Sequence, residues 1–195
     1  MCFLVFDEVY EPAEDSFLLA DYLSHEIRSQ DVILDLGTGI GIQAIVAATL
    51  KDDIQIIATD INPIAVQNAK KNAQINKVSD RIEFIHGDLF QPLHEKRHFS
   101  LIMFNFPYLS LPSPDHEDKD WISFAWSQGV GTDNILEKFL SRFRSFLIDK
   151  GRILLILSTL SEVDLKKWEH LYSIEKLAER SFFFEKISLV KIMQD

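Results

Sequence analysis

A glycine-rich stretch that follows a carboxylate is the clearest candidate for chemistry in this sequence. Asp35-Leu36-Gly37-Thr38-Gly39-Ile40-Gly41 lies between a short apolar run and a helical pattern. Glycines let a ligand approach the backbone closely, and a helix that begins there offers unpaired N–H groups. Position 42 is Ile instead of the third glycine of the dinucleotide fingerprint, and Asp35 would repel a pyrophosphate. The stretch therefore favours a ligand with an ammonium group, although a tight turn that only needs small residues is the alternative.

Two more carboxylates follow apolar runs farther along the chain. Asp60 ends one such run, and an acid at that point of a parallel sheet can accept hydrogen bonds from ribose hydroxyls. Asn62 and Pro63 already supply the N-cap and first position of the next helix, which leaves Asp60 free for a ligand. Asp88 could bind the amino group of an adenine while Leu89 packs on the ring, or it could be an ordinary turn aspartate.

The tetrapeptide Asn105-Phe106-Pro107-Tyr108 follows a further apolar run. The side-chain oxygen of Asn105 and the carbonyl oxygen of Phe106 could both accept hydrogen bonds from one substrate amino group, and Tyr108 could stack on a planar group. Two such acceptors would orient the nitrogen for in-line attack without a dedicated acid or base. The expected target is a carboxamide or the exocyclic amine of a base. An Asn-capped loop with a packing aromatic is the alternative.

Apolar runs and helical patterns alternate along the chain, which is typical of a parallel sheet with crossover helices. Strands are predicted at 32–34, 54–58, 81–85, 101–104 and 153–157, and helices at 40–50, 63–76 and 132–147. Ahead of them, Leu19, Tyr22, Leu23 and Ile27 form the stripe of an extra helix, and a turn at 149–151 precedes the fifth strand. Residues 174–178 and 187–192 read as a C-terminal antiparallel hairpin. The predicted fold class is α/β, a doubly wound, seven-stranded, mostly parallel sheet that brings the candidate residues to one edge.

Length and composition indicate one acidic domain. The chain has 195 residues, a net charge of −10 and 47% hydrophobic residues. We expect a single domain over 1–195, with residues 1–30 as an N-terminal extension packed on it. The lone Cys2 argues against a disulfide framework, and no His or Cys spacing suggests a metal site. Neither a membrane-spanning run nor a secretory signal is evident, so a cytoplasmic location is predicted.

Two segments resemble a known family. Residues 10–19 read Y-E-P-A-E-D-S-F-L-L, which is similar to the opening of the short archaeal and eukaryotic branch of HemK-like glutamine N5-methyltransferases. Asn105–Tyr108 resembles the N-P-P-Y motif of the same family. The resemblance covers essentially the whole chain and implies a Rossmann-like class I methyltransferase with S-adenosyl-L-methionine as cofactor. It also implies the Gly-Gly-Gln glutamine of a class 1 peptide-chain release factor as substrate, and a small zinc-binding activator protein as a partner.

The resemblance also assigns site residues by position. Ser16 would lie beside the methionine part of the cofactor, and Asp35 and Gly37 would hold its amino-acid end. The predicted cofactor-binding residues are Ser16, Asp35, Gly37, Gly39, Asp60, Ile61, Asp88, Leu89 and Asn105. The predicted catalytic residues are Asn105, Phe106, Pro107 and Tyr108.

Three features bear on the substrate and on partners. Phe106 stands where the family has proline, so slower turnover or a shifted target is expected, and a methyltransferase-fold protein with weak catalysis is one alternative. The motif that Asn105–Tyr108 resembles is shared with enzymes that methylate adenine or cytosine in nucleic acids, so a base N-methyltransferase is the other alternative. The acidic run 115–120 should lie at the substrate side and the basic pair 96–97 at the opposite edge, so a protein substrate is favoured. The run Phe182–Phe184 is expected to pack on the sheet and the extra helix, with a partner surface as the alternative.

Overall fold

The elements of the fold are defined in a computed structural model, which describes residues 1–94, 98–107, 121, 135–161 and 168–194. The helices in this part of the chain are α1 Glu14–Glu26, α2 Ile42–Leu50, α3 Pro63–Ile75 and α4 Ile135–Arg142. The strands are β1 Val32–Leu36, β2 Gln55–Asp60, β3 Ile82–His86, β4 Phe99–Phe104, β5 Leu147–Ser158, β6 Tyr172–Ser181 and β7 Lys186–Gln194. No helix of the described residues is both long and apolar enough to cross a membrane.

One sheet contains the seven strands in the order β3-β2-β1-β4-β5-β7-β6. The first five of these pair in parallel, and β7 pairs antiparallel with both β5 and β6. The predicted doubly wound sheet with a C-terminal antiparallel hairpin is therefore confirmed. Register places Leu36 opposite both Thr59 and Phe104, so β1, β2 and β4 end at the same level.

The extra N-terminal helix packs on the sheet as its stripe predicts. Leu19 and Leu23 of α1 are fully buried, and Ile27 just after the helix is 6% exposed. The hydroxyl of Tyr22 donates to the carbonyl oxygen of Leu177 at 2.6 Å, which joins α1 to β6. Helix α1 therefore spans the face of the C-terminal strands and carries its first turn towards the carboxyl edge.

An asparagine ladder on α3 holds the first residues of the chain. Asn68, Asn72 and Asn76 lie one helical turn apart, and their side-chain oxygens accept the backbone N–H groups of Phe6, Leu4 and Cys2 at 2.8, 2.8 and 3.1 Å, respectively. The same amides donate to backbone carbonyl oxygens of the N-terminal segment. Each side chain acts as a neighbouring strand would, because an amide both donates and accepts. The N-terminal segment is thereby fixed along α3.

The predicted helix over 132–147 is wrong at its end. The helix α4 stops at Arg142, a 3-10 turn follows, and Leu147 already belongs to β5. The apolar stripe is nevertheless buried, because Phe146 stacks on Phe90 with ring centroids 4.7 Å apart. The carbonyl oxygen of Phe146 accepts the N–H of Phe99 at 2.7 Å, a bond towards β4 that a continuing helix could not make.

The predicted turn at 149–151 is a bulge inside β5. Pairing with β4 jumps from Phe99–Leu147 to Leu101–Arg152, so the intervening residues have no partners in the ladder. Lys150 adopts a left-handed φ of 61°, which bends the strand at this point. The strand therefore begins earlier than the apolar run that predicted it.

The expectation that Phe182–Phe184 packs on the sheet and α1 is also wrong. These residues form the turn between β6 and β7, where Phe183 is 101% and Phe184 91% exposed. The hairpin stem does reach α1, because Arg180 contacts Glu14 at 2.6 Å and Asp21 at 2.9 Å. The stem is anchored, and the aromatic turn projects beyond it.

A buried arginine closes the opposite edge of the sheet. Arg152 is 1% exposed, and its guanidinium lies 2.6 Å from Asp31 and 3.8 Å from Glu26. It also donates to the carbonyl oxygen of Ser100 at 3.1 Å. Burial opposes ionisation, but hydrogen bonds from Arg152 and Ser100 hold the pKa of Asp31 below its usual value. This cluster ties α1, β1, β4 and β5 together away from the candidate site.

Candidate active site

The predicted site residues lie along the carboxyl edge of four neighbouring strands. Asp35 and Gly37 belong to the end of β1, Asp60 to the end of β2, and Asp88 and Asn105 follow β3 and β4. With neighbouring strands about 4.8 Å apart, the row from Asp88 to Asn105 spans about 14 Å. Sequence reasoning thus predicted correctly that these residues share one edge of the sheet.

The glycine loop presents an open backbone surface at this edge. Gly37 and Gly39 have φ values of 62° and 56°, a left-handed conformation that side chains rarely adopt. A Cβ atom added at Gly39 would meet nothing within 4 Å, so the loop leaves space there that the described residues do not fill. Gly41 is needed for a different reason, because its Cβ would lie 3.0 Å from Ala69 of α3.

Asp60 is less free than the sequence predicted. Its Oδ2 accepts the N–H of Gly39 at 2.8 Å, and its Oδ1 accepts the N–H of Asn62 at 2.9 Å. Asn62 is the N-cap of α3 as expected, and its side chain accepts the N–H of Ile64. Each carboxylate oxygen keeps a further lone pair, so Asp60 both holds the glycine loop and can accept from a diol. Ile61, beside it, is half-buried, and its carbonyl oxygen lies 3.0 Å from Nε2 of His86.

Asp35 makes the site strongly anionic. It is 2% exposed, and its carboxylate accepts the hydroxyl of Thr38 at 2.6 Å. Burial raises the pKa of Asp35 to about 7 against that hydrogen bond, and the neighbouring Asp60 carboxylate adds to the rise. Burial also raises the pKa of Asp60, although the N–H groups of Asn62 and Gly39 oppose it. Two carboxylates with raised pKa values favour a cationic ligand, which would relieve their repulsion.

Asp88 and Leu89 form a strained turn at the end of the row. Gln91 donates its side chain to the Asp88 carboxylate at 3.0 Å, and its backbone N–H to the Asp88 carbonyl oxygen at 2.9 Å. Leu89 has a left-handed φ of 45°, which is unfavourable for a branched side chain. Such strain often occurs at ligand sites. The turn-aspartate alternative is therefore correct as a description of the fold, and the adenine role of both residues stays a prediction.

A hydrogen-bond relay connects α1 to Asn105. The Nδ2 of Asn105 donates to the hydroxyl of Ser16 at 3.2 Å, while its Oδ1 is buried and has no hydrogen-bond partner among the described residues. The Ser16 N–H and hydroxyl donate to Oδ1 of Asp15 at 2.6 and 3.2 Å. The hydroxyl of Tyr10 donates to the same carboxylate at 3.2 Å, and Gln43 donates to the carbonyl oxygen of Ser16. The relay fixes which atom of the Asn105 amide faces the free side.

Asp15 and Tyr10 are site residues that sequence reasoning missed. Both stand in the segment that carries the family resemblance, from which the resemblance assigns a role only to Ser16. Asp15 is 3% exposed, which is unusual for an acid in the first turn of a helix. The signal available in the sequence was that Asp15 belongs to the motif that resembles the family and directly precedes Ser16, to which the resemblance assigns a role.

Phe106 fills the core instead of shaping the loop. Its side chain is 1% exposed, and its ring centroid lies 5.8 Å from that of Phe104. A phenylalanine here gains apolar packing while it gives up the fixed φ of proline. Pro107 is half-buried. Tyr108, the acidic run 115–120 and the basic pair 96–97 lie outside the described residues, so the predictions made for them stay predictions.

Known proteins resemble this chain in sequence as well as in fold. Residues 17–106 match a family model described as Ribosomal protein L11 methyltransferase (PrmA). A relative from Methanocaldococcus jannaschii, named as a candidate protein N5-glutamine methyltransferase, is 38% identical over 154 residues, or 79% of this chain and 74% of the relative. The chain belongs to the HemK-like family of protein glutamine N5-methyltransferases. A release factor glutamine methyltransferase from Dictyoglomus turgidum is 39% identical over 101 residues, or 51% of this chain and 33% of that relative.

The fold of this HemK-like protein matches solved methyltransferases. An RNA methyltransferase from Salinibacter ruber, solved with S-adenosyl-L-homocysteine, has a TM-score of 0.58 at 17% identity, with 95% of this chain and 94% of that chain covered. At this identity the likeness concerns the fold alone. It confirms the Rossmann-like class I methyltransferase architecture.

The residues of the HemK-like site fit S-adenosyl-L-methionine. The space beside Gly39 admits a ligand against the backbone, and the anionic pair Asp35 and Asp60 suits a molecule that carries both an ammonium and a sulfonium. Asp60 retains acceptor capacity for ribose hydroxyls. Among the described residues, no group of three or more His, Cys, Asp or Glu side chains is placed to hold a metal ion.

Proposed function

We propose that this protein transfers a methyl group from S-adenosyl-L-methionine to the side-chain amide nitrogen of a glutamine in a class 1 peptide-chain release factor. The observation that carries the proposal is the Oδ1 of Asn105, a buried acceptor without a partner among the described residues. Leaving such an atom unpaired costs about 1–3 kcal/mol. A substrate N–H that reaches it would recover that cost at the position where methylation has to occur.

The relay through Ser16 gives this acceptor its direction. Because Ser16 accepts from Nδ2 of Asn105, the amide cannot turn its nitrogen towards the substrate without losing that bond. Asp15 in turn holds the Ser16 hydroxyl. The site therefore presents Oδ1 of Asn105 to the substrate, which selects a substrate group that donates a hydrogen bond. A primary carboxamide donates two N–H groups from one planar nitrogen, so it can be oriented and can still lose a proton.

The chemistry asks little of the protein beyond orientation and charge. S-adenosyl-L-methionine, when bound, supplies an electrophilic methyl group on a positively charged sulfur. Asn105 holds the amide nitrogen through one N–H. The nitrogen forms a bond to the methyl carbon as the bond from that carbon to sulfur breaks, and it releases its other proton to solvent, so the product keeps one N–H for Asn105. The carboxylates of Asp35 and Asp60 favour cationic groups in the site.

A glutamine in a protein is favoured over a nucleic-acid base by the relatives. Their names specify glutamine, and one specifies a release factor. The chain also carries a net charge of −10, which opposes contacts with phosphates. A single domain over 1–195, a cytoplasmic location and a zinc-binding activator partner complete the proposal.

The decisive experiment offers both substrates at once. The protein, co-purified with its small zinc-binding activator, is incubated with methyl-labelled S-adenosyl-L-methionine, a release factor that contains Gly-Gly-Gln, and total RNA. We expect label in the release factor, and no label when its target glutamine is replaced by glutamate. In the enzyme, Asn105→Ala should abolish transfer, whereas Asn76→Ala, at the exposed end of the α3 ladder, should leave activity intact.

Each outcome has a clear meaning. Label in RNA alone would refute the protein substrate and would favour the base N-methyltransferase alternative. Transfer that survives Asn105→Ala would refute the proposed role of its Oδ1. Absence of transfer to either substrate, with the cofactor bound, would favour the alternative of a methyltransferase-fold protein with weak catalysis.

A further inference from the structure

The turn between β6 and β7, here called the aromatic tip, consists of Phe182, Phe183 and Phe184. The exposed fractions of their side chains are 42%, 101% and 91%, respectively. The N–H of Phe182 donates to the carbonyl oxygen of Glu185 at 2.7 Å, so the turn is closed and holds the rings outward. Three adjacent exposed rings on an ordered turn are unfavourable in water and mark an interaction surface.

The aromatic tip lies at the same edge of the sheet as Asn105. Strand β5 runs parallel to β4, and its last residue, Ser158, pairs with Ile187 at the start of β7. Thr159 donates its N–H to the carbonyl oxygen of Lys186, so the turn begins just past the carboxyl end of β5. Only β5 separates β4 from β7, which places the hairpin about 10 Å sideways from the end of β4.

The hairpin is also joined to the segment that carries the relay. Arg180, in the stem, is ion-paired with Glu14 at the first turn of α1. Glu185, at the base of the tip, contributes to the raised pKa of Tyr10, after burial and Asp15. The stem and the base of the tip therefore lie next to the segment that carries the relay.

The rings border an apolar concavity. It is wide open to solvent, and it is lined by Leu160, Ser181, Phe182, Phe183, Phe184 and Glu185. Leu160 follows β5 and is 43% exposed, so apolar side chains bound it on two sides. A space of this kind can receive an aliphatic or aromatic side chain of a partner.

The size of this surface selects among occupants. Each phenylalanine can bury about 150–200 Å², so the two exposed rings offer roughly 300–400 Å². A stable homodimer needs about 800 Å² on each partner. The aromatic tip is therefore too small to hold a second copy by itself. It suffices as a secondary contact for a protein whose main engagement is the glutamine held at Asn105.

We propose that the aromatic tip docks an apolar side chain of the protein substrate, outside the methylated glutamine, and so contributes to the selection of a folded release factor. This inference rests on the proposed function. A contact displaced sideways from the reacting atoms strengthens substrate binding without touching the chemistry. Its removal should raise KM for the substrate and leave kcat unchanged.

The test compares two double variants with the wild-type protein. Phe183→Ser/Phe184→Ser removes the tip, and Ile148→Ser/Leu171→Ser removes two residues that are 42% and 44% exposed at the opposite edge. With intact release factor as substrate, the tip variant should raise KM about tenfold or more. Its kcat, its affinity for the cofactor and its melting temperature should match those of the control variant, whose KM should stay at the wild-type value.

The failures are distinguishable. If the wild-type protein does not methylate the release factor, the proposed function is refuted. If it does and the tip variant has an unchanged KM, the docking inference alone is refuted. A dimer in gel filtration that dissociates in the tip variant would assign the tip to a second copy and would also overturn the inference.

Discussion

Replacing Asp35 by Asn should stabilise the cofactor-free protein at neutral pH and weaken cofactor binding at the same time. The reason is that Asp35 is buried beside a second carboxylate, Asp60, and burial outweighs the hydrogen bonds from Thr38 and from the backbone N–H of Ala44 that favour its ionised form. Asn keeps the oxygen that accepts from Thr38, so the local hydrogen bond survives the change. The substitution removes the charge and one of the two acceptor oxygens, which receive hydrogen bonds from Thr38 and from the backbone N–H of Ala44.

The pKa of Asp35 sets the magnitude. It rises from 3.8 in its ordinary environment to about 7 in the folded protein. The folded state therefore holds the proton more tightly than the unfolded state does, and stability falls as the pH rises from about 4 towards 7. At one unit for about 1.4 kcal/mol, the wild-type protein should lose about 3 kcal/mol between pH 5 and pH 8 from this group. The Asn variant should not lose it.

Urea unfolding without cofactor, followed by circular dichroism at pH 5, 6, 7 and 8, measures this difference. The stability of Asp35→Asn relative to wild type should grow with pH by about 3 kcal/mol. Asp53→Asn is the control, because Asp53 is exposed and a hydrogen bond from Ser29 lowers its pKa. That variant should show no gain at higher pH. A difference for Asp35→Asn that is independent of pH would refute the assigned ionisation.

Cofactor binding provides the second half of the test. The wild-type affinity for S-adenosyl-L-methionine should increase as the pH passes about 7, because Asp35 must be ionised to hold the ammonium. Loss of a charge-assisted bond worth about 1.5–3 kcal/mol should weaken the Asn variant roughly 10- to 150-fold at pH 8. Isothermal titration calorimetry measures both. Equal affinities of the two proteins at pH 8 would contradict the ammonium role.

Three further predictions follow from buried polar groups. Arg152→Met should destabilise the protein by about 3–5 kcal/mol in urea unfolding, because it leaves buried carboxylates unpaired. Adding Asp31→Asn should restore part of the lost stability, and a double variant that recovers none of it would contradict the pairing. Asp15→Asn should lower kcat about tenfold with little change in cofactor affinity, since it acts through Ser16; a change in affinity alone would place it in the cofactor site instead. Asn72→Ala, at the fully buried middle of the ladder, should lower the free energy of unfolding by about 3 kcal/mol, and Asn76→Ala, at its exposed end, by less than about 1 kcal/mol. Equal shifts of the melting temperature in the two variants would contradict the ladder.

The carboxyl-edge part of the site was predictable because it depends on pattern alone. Apolar runs that alternate with helical stripes predict parallel strands, and parallel strands bring their ends to one edge. Asp35, Asp60, Asp88 and Asn105 each directly end or follow such a run. Their placement at a common edge needed no knowledge of side-chain contacts.

Features that depend on tertiary contacts were not predictable in this way. The stripe through Phe146 is buried whether the backbone is helical or extended, so periodicity could not locate the end of α4. Asp60 accepts from Gly39, a bond that exists only after β1 and β2 pair. The exposure of Phe183 contradicts the general preference of phenylalanine for the core, because its position in a turn overrides its hydrophobicity.

The asparagine ladder makes the length of the N-terminal segment matter more than its sequence. Each asparagine of the ladder bonds only to backbone atoms, so these hydrogen bonds depend on the number of peptide units and not on the side chains at positions 2, 4 and 6. Substitutions at the exposed positions 2 and 4 can accumulate as long as proline, which lacks the N–H, is avoided, whereas Phe6 also packs against a cluster of apolar side chains. One inserted residue, by contrast, would have to be accommodated as extra chain between the ladder and Ser16. The first residues thus fix the length of chain that leads to the active site, and we expect this stretch to tolerate insertions less well than point substitutions.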